Sequence, residues 1–551
     1  MKNLHLMVCL LVVLLFPAIS NAQIPDASRR ANWHKAGIHG TLPDYKHLAF
    51  AGDTTGTIDN STALQAILDT ISQPTIILFG EGTYLFNTRI SLKSNTILKG
   101  LGHQRTHFLF NQNGTDQPSI QMRGTESGNY ALTQAADKNS NSALVSPASA
   151  AKFKAGDYCR ILQDDADLLQ TGWGEGITGQ VLKIDSVVAD RLYFSSALRM
   201  DYPMARNPRL RKQNNIKFSG VECLKITRSD YTNTGAGSSN FDIRVAANCH
   251  ISSVESNKCN YAHVEVYYST NIMVEDNYFY DAHNFGSDGR GYGVILHFST
   301  GEALVQNNVF RKLRHAMILQ AGANGNVFAY NYSYESTKQI FPGINVVGED
   351  MDCHGNYPYL NLFEGNYGQF ASVDNSHGMN GPYNTYFRNI ATNAGFGVSN
   401  PQSPNQNFTG NHTISGSNNF ASSGHHITDN SWQGASALND SSLAYQATPP
   451  FLQGVANWLI GPPAFNANPS LPARSRAASS QYISRKCDMI IWENGDWKNN
   501  FKPSALTQDY TMVVYPGGNL VLSNHATVKS LDIKPGANFE LAPGYILTVN
   551  E

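Results

Sequence analysis

Two stretches of the chain carry the same run of reactive side chains. One reads Asp352-Cys353-His354-Gly355-Asn356-Tyr357 and leads to Asn366. The other reads Asp374-Asn375-Ser376-His377-Gly378-Met379 and leads to Asn389. In each, a His-Gly pair stands twelve residues before the asparagine, and the two histidines are 23 residues apart. A carboxylate beside an imidazole raises its pKa and fixes its tautomer, which suits general acid–base work. His354, His377, Asp352 and Asp374 are therefore the first catalytic candidates. The bland alternative is a stack of histidines that satisfies turn backbone.

Further candidates surround them. Arg311-Lys312-Leu313-Arg314-His315 precedes both stretches. Arg311 or Arg314 could grip a ligand carboxylate in bidentate fashion, or could pair at the surface. His297 falls eleven residues before Asn308, close to the His354 register, and Asp288 and Arg290 come just before it. Together these predict one wall of His297, His315, His354 and His377. Glu364 adds a third carboxylate for paired-carboxylate chemistry. Tyr357 and Tyr383, with Tyr267, Tyr268, Tyr292 and Tyr359, offer apolar ring faces with a polar tip, although each could simply be packing. Asp350 and Asp352, in the run Glu349-Asp350-Met351-Asp352, are hard oxygen donors that could hold Ca²⁺. No other cofactor is called for.

These residues need a framework that places spaced segments side by side. An apolar residue stands three places before an asparagine in Val254/Asn257, Val274/Asn277, Val305/Asn308, Phe328/Asn331, Phe363/Asn366, Tyr386/Asn389 and Ile427/Asn430. The asparagines are 20, 31, 23, 35, 23 and 41 residues apart. Such intervals suit solenoid coils, the longer ones carrying loops, and a repeated asparagine at one turn can stack as a hydrogen-bonded ladder. Loops of a solenoid collect on one side and line a groove.

The other regions read differently. Lys2 followed by the apolar run Leu4–Ala18 and the small-x-small pattern Ser20-Asn21-Ala22 predicts a signal peptide over 1–22, hence an exported chain. Residues 23–139 hold a leader, a short helix whose Leu64, Ile67 and Leu68 share one face, and the first strands. Residues 140–215 predict a small β insertion, 216–440 the regular repeats, 441–484 a closing segment and linker, and 485–551 a small β module. The net charge of −2 offers no electrostatic case for nucleic acid, and no later segment is apolar enough to span a membrane. A monomer is expected. Six cysteines remain after the leader, with no CxxC pair. Cys249 and Cys259 could pair in an oxidising compartment, or be buried thiols.

The order Asp53, Asp59-Asn60-Ser61-Thr62-Ala63-Leu64-Gln65-Ala66-Ile67, then Gly82-Thr83-Tyr84, then Leu92-Lys93-Ser94-Asn95 through Gly100-Leu101-Gly102 resembles the start of the pectate-lyase-like β-helix superfamily. The resemblance implies an all-β, right-handed parallel β-helix, with the helix capping its open N-terminal end. It also implies an insertion flanking a sugar groove and a polysaccharide as partner. The C-terminal stretch from Ile491 resembles the small β modules of exported Bacteroidota proteins. The Asn-Thr-Asp, Asp-Asp and Arg-Ile-Lys motifs of polygalacturonases are not found here in that form, nor is the catalytic arginine motif of calcium-dependent pectate lyases. The resemblance thus carries a fold and no catalytic residue. Three functions follow as expectations. The first is a polysaccharide lyase with His377 or His354 as base and an arginine of 311–314 on the uronate. The second is a glycoside hydrolase using Asp352, Asp374 and Glu364. The third is a non-catalytic binding or adhesive solenoid.

Overall fold

The computed structural model describes residues 24–232, 237–286, 289–399, 402–421, 423–428, 442–455, 471–483, 487, 489–493, 495–497 and 510–550. The expected signal peptide, Asp288 and Asn430 lie outside the described residues.

The chain winds into a right-handed parallel β-helix with three faces. The first face is a twelve-stranded parallel sheet running from Lys46–Ala49 to His426–Thr428. The second face includes Gly82–Phe86, Lys225–Arg228, Tyr278–Tyr280, Val309–Arg311 and Tyr332–Tyr334. The third includes Phe241–Arg244, Ala262–Tyr267, Tyr292–His297, His315–Leu319 and Met351–Cys353, and it continues into the ends of Tyr367–Val373 and Ile390–Val398. Alternate side chains point inward and stack coil upon coil. Phe328, Phe363, Tyr386 and Phe408 form one such column, with ring centroids 5.3, 4.8 and 5.0 Å apart.

That column explains the sequence repeat. Its members are first-face core residues, and the asparagine three places on sits at the corner to the second face. A left-handed residue precedes each corner asparagine: Asp276, Asn307, Tyr330, Gly365, Arg388 and Gly410, with φ between 55° and 64°. The amides then chain from Asn277 through Asn308, Asn331, Asn366 and Asn389 to Asn411, each link a side-chain bond of 2.9–3.1 Å. One member of the expected series differs. Asn257 lies three residues past the ladder position, which Val254 fills, its N–H bonding the Asn277 amide. Among the described residues the ladder reaches Asn411, a member that the expected series passes over between Asn389 and Asn430. A second ladder, Asn326–Asn361–Asn384–Gln406, runs along the opposite corner of the first face.

Three attachments decide which surface stays open. Helix α1 (Ser61–Thr70) buries Leu64 and Leu68 in the main core; Asp59 caps it by accepting from the Ser61 N–H at 2.9 Å. The leader and closing segment cover the first face, where Trp33, Leu443, Leu452 and Leu471 pack on Leu304, Val327 and Leu362. The insertion is a six-stranded antiparallel sheet that begins at Thr125, earlier than position 140, with its own core around Ile161, Ile184, Leu192 and Leu210. It docks beside the third face. The C-terminal module is a short parallel stack of its own, pairing Thr511–Val514 with Ser530–Ile533 and Asn519–Leu522 with Asn538–Leu541. A disulfide, Cys223–Cys487, joins it to the solenoid. Cys249 and Cys259 are both buried free thiols; Cys249 packs inside the solenoid core, which Cys259 does not enter. Among the described residues, no helix is long and apolar enough to cross a membrane.

Candidate active site

Strand register builds the site on the third face. Ile318, Asp352 and Ser372 are aligned rung by rung. Two residues on, past the strand ends, His354 and Asp374 follow in the same column, with His297 further down it. The shared twelve-residue offset would stack His377 on His354, one rung away; Asp374 fills that rung. Asp352 pairs with Ser372, 20 residues on, whereas Asn361 pairs with Asn384, 23 residues on. The three extra residues form a turn closed by the Gly378 N–H on the Asn375 carbonyl. That turn lifts His377 off the sheet and leaves its ring 5.2 Å, centroid to centroid, from His354.

The floor of the site is a buried polar cluster. The His354 Nδ1 donates to Asp374 Oδ2 at 2.7 Å and lies 3.0 Å from Asp352 Oδ2. One N–H cannot serve both, so neither Asp352 oxygen accepts a hydrogen bond. His315, fully buried, has its Nδ1 3.0 Å from the Glu349 carbonyl oxygen and 3.6 Å from Asp352 Oδ2. Glu349 is paired to Lys338 at 3.2 Å. Asp374 also accepts from the Ser376 backbone and hydroxyl at 3.1 and 3.0 Å.

Charge in the cluster is split by environment. Burial opposes the His354 charge, but Asp374 and Asp352 outweigh it and hold the imidazole protonated. Burial, then the Asp374 charge, pushes Asp352 upward. Burial also opposes Asp374, yet His354 keeps it ionised. Burial, His354 and Arg314 together keep His315 neutral. His377 is likewise lowered by partial burial, then by His354, with Arg314 contributing.

The mouth is formed by His377, half-buried, and by Trp173 of the insertion. Trp173 is 47% exposed, with its ring 5.3 Å from His377 in an edge contact and 5.7 Å from Phe298. Asn356 of the solenoid bonds Thr171 and so fixes the Trp173 turn. Beside it lies a hollow of about 390 Å³ lined by Tyr268, Arg160 and Arg211. Trp173 was not among the expected site residues. Its only signal was a single aromatic in the glycine-rich turn Gly172-Trp173-Gly174, and nothing local links that turn to residue 377.

Other candidates lie elsewhere. Arg314 is buried near the cluster, one guanidinium nitrogen on the Gly286 carbonyl at 2.8 Å. His297 is buried against Glu265 at 3.5 Å and Tyr267 at 4.0 Å. It shares the column with His354, as expected, but is already paired. Arg311 is not in the groove: it sits on the second face, where register puts it between Tyr280 and Tyr334, and pairs with Glu335 at 2.8 Å. Arg290 is buried against the Tyr231 hydroxyl at 3.2 Å. Glu364 belongs to the first face and is consumed by Ser442, Tyr330 and the backbone of Leu443 and Ala444, so it anchors the closing segment. Asp350 accepts from Ser333 and from the Gln369 and Phe370 N–H groups, which removes it from any shared ion site with Asp352. Tyr383 is covered by Arg29 and Lys138, at 4.9 and 5.1 Å from its centroid, and is no sugar platform. Tyr357 is mostly buried beside Tyr359, with centroids 6.0 Å apart.

Residues 47–159 match the family described as rhamnogalacturonase A/epimerase, pectate lyase-like. The early coils are thus of the pectate-lyase-like β-helix type that the motifs around Asp59 and Gly100 led one to expect. No curated protein matches the chain. Among solved structures, the tailspike protein gp49 of Pseudomonas phage LKA1 is 13% identical, covering 89% of this chain and 72% of its own, with a TM-score of 0.49. The tailspike of E. coli bacteriophage HK620, in complex with a pentasaccharide, is 9% identical over 94% and 65%, with a TM-score of 0.37. The catalytic domain of a GH87 α-1,3-glucanase, in complex with tetrasaccharides, is 10% identical over 93% and 70%, with a TM-score of 0.31.

Proposed function

We propose that this protein is an exported enzyme that cleaves an acidic polysaccharide by β-elimination, with His377 as the base. One observation carries the reading: His377 is the imidazole of the cluster that reaches the surface, and among the described residues no hydrogen bond engages its ring. A general base must touch the proton it removes. His354, 4% exposed and bracketed by carboxylates, has no free lone pair on Nδ1 to offer. His377 takes the proton alpha to a uronate carboxylate as the bond to the leaving glycosidic oxygen breaks and a carbon–carbon double bond forms, Trp173 gives the sugar an apolar ring face, and the positive charge of buried Arg314, felt at His377, favours the charge that builds on the carboxylate. Export fits the Cys223–Cys487 bridge, since disulfides persist in oxidising compartments.

A hydrolase reading has one observation in its favour: the environments of Asp352 and Asp374 push the two carboxyls in opposite directions, as an acid and a base require. Against it, Asp352 is 0% exposed and cannot touch a glycosidic oxygen.

The test is a panel of acidic and neutral polysaccharides, reading ultraviolet absorbance of unsaturated ends together with reducing ends. Absorbance that His377→Ala reduces by about 10²–10⁴-fold supports the proposal. Reducing ends without absorbance would move the chemistry to the carboxylates.

A further inference from the structure

We infer that the floor of this site is a binding site for a single first-row transition-metal ion, with His315, Asp352 and His354 as protein ligands and Asp374 completing the set, the ion displacing the Nδ1 proton that His354 otherwise shares with Asp374. The inference rests on the geometry of the floor and does not depend on the reaction proposed above.

Three observations carry it. The first is convergence. His315, Asp352 and His354, all buried, offer one ligand atom each within 4.8 Å of one another. In a four-coordinate site with bonds of about 2.1 Å, neighbouring ligand atoms stand about 3.4 Å apart. The His354–Asp352 and His354–Asp374 edges are 3.0 and 2.7 Å, slightly tight.

The second is unmet bonding capacity. Asp352 is fully buried, and neither of its oxygens accepts a hydrogen bond. A buried acceptor left in that state is costly, more so if charged. The Nε2 of His315 is also buried without a partner. Its Nδ1 faces the Glu349 carbonyl, and a ring nitrogen spent on a backbone carbonyl is the usual way of presenting the other nitrogen to a metal.

The third is charge. Lys338 pairs with Glu349, and among the described residues Asp352 and Asp374 have no lysine or arginine partner, only the one imidazole of His354 between them. A divalent ion compensates Asp352 and Asp374 directly. Two imidazoles among the donors favour a borderline ion of the zinc or cobalt kind over Ca²⁺, which takes oxygen ligands.

The probe is Co²⁺ added to the chelator-treated full chain, followed by its visible ligand-field absorption and by elemental analysis. The expected result is one cobalt per chain, unaffected by equimolar Ca²⁺. Affinity should fall at least tenfold in Asp352→Asn and in His315→Gln, and be retained in Arg311→Ala, which lies on another face. Circular dichroism checks each variant. If Asp352→Asn does not fold, His315→Gln carries the comparison. Uptake below about 0.1 cobalt per chain, displacement by equimolar Ca²⁺, or wild-type affinity in a folded His315→Gln would overturn the inference. Catalytic turnover is not among the readouts, so loss of the lyase reading would leave this result standing, and the reverse.

Discussion

Asn331→Ala should cost the solenoid about 3–5 kcal/mol, whereas Asn257→Ala should cost under about 0.5 kcal/mol, although both asparagines satisfy the same sequence pattern. The difference is worked from bonds. The Asn331 Nδ2 donates to the Val305 carbonyl and to Asn366 Oδ1, both at 2.9 Å. Its Oδ1 accepts the Asn308 N–H at 3.0 Å and the Asn308 amide at 2.9 Å. Truncation leaves the Asn308 N–H buried without an acceptor and weakens three further groups in a region closed to water. Two or three such groups, at about 1–3 kcal/mol each with partial relaxation, give the stated range. Asn257 is half-buried, and its Oδ1 accepts no hydrogen bond. Several cores share the chain, so a single unfolding free energy is not defined for it. The comparison is therefore made within the solenoid's own transition in urea, wild type against the two variants. Equal shifts for the two substitutions would refute the ladder as the source of stability.

Three other outcomes are expected. Trp173→Ala should raise KM on the preferred polysaccharide by about 5–10-fold with little change in kcat, because its 47%-exposed ring offers binding and no proton chemistry; an unchanged KM would remove it from the groove. The disulfide Cys223–Cys487 closes a separation of 264 residues, so Cys223→Ser should free the C-terminal module to proteolysis while the solenoid stays resistant, read by limited digestion and mass measurement. His263 is fully buried, accepting from the Ser256 hydroxyl at 2.8 Å and donating to the Asp281 carbonyl at 3.0 Å, and burial pushes it down to about 3. Its unfolded form titrates near 6.5, so between about pH 6.5 and 3 the unfolded state binds the extra proton. Stability is thus full above 6.5 and falls by about 1.4 kcal/mol per pH unit below it. In His263→Gln this slope should drop by one proton's worth in urea titrations at pH 6.5, 5 and 4; parallel pH dependences for the two proteins would refute the assignment.

Periodicity made the solenoid legible because a core column and a corner amide recur in every coil, and a repeat survives loops of any length between its marks. Phe363/Asn366 and Tyr386/Asn389 are read correctly for that reason. The same logic fails where a coil departs from the repeat inside itself. His354 and His377 keep the 23-residue interval, yet three residues of that interval form the turn after Asp374, so strand pairing sets Asp374 beside His354 and frees His377. The interval was a sum of two local offsets, and a sum does not reveal its parts. Faces are harder still. Arg311 and Arg314 are three residues apart in sequence, but the corner between the second and third faces separates them, so one pairs with Glu335 in the open and the other is buried near His315. Trp173 was out of reach altogether, since its place depends on how a separate antiparallel sheet docks through Thr171 and Asn356. A solenoid sequence thus names the residues that repeat. Its chemistry sits on the residues that do not, at the points where a turn, a corner or an insertion breaks the count.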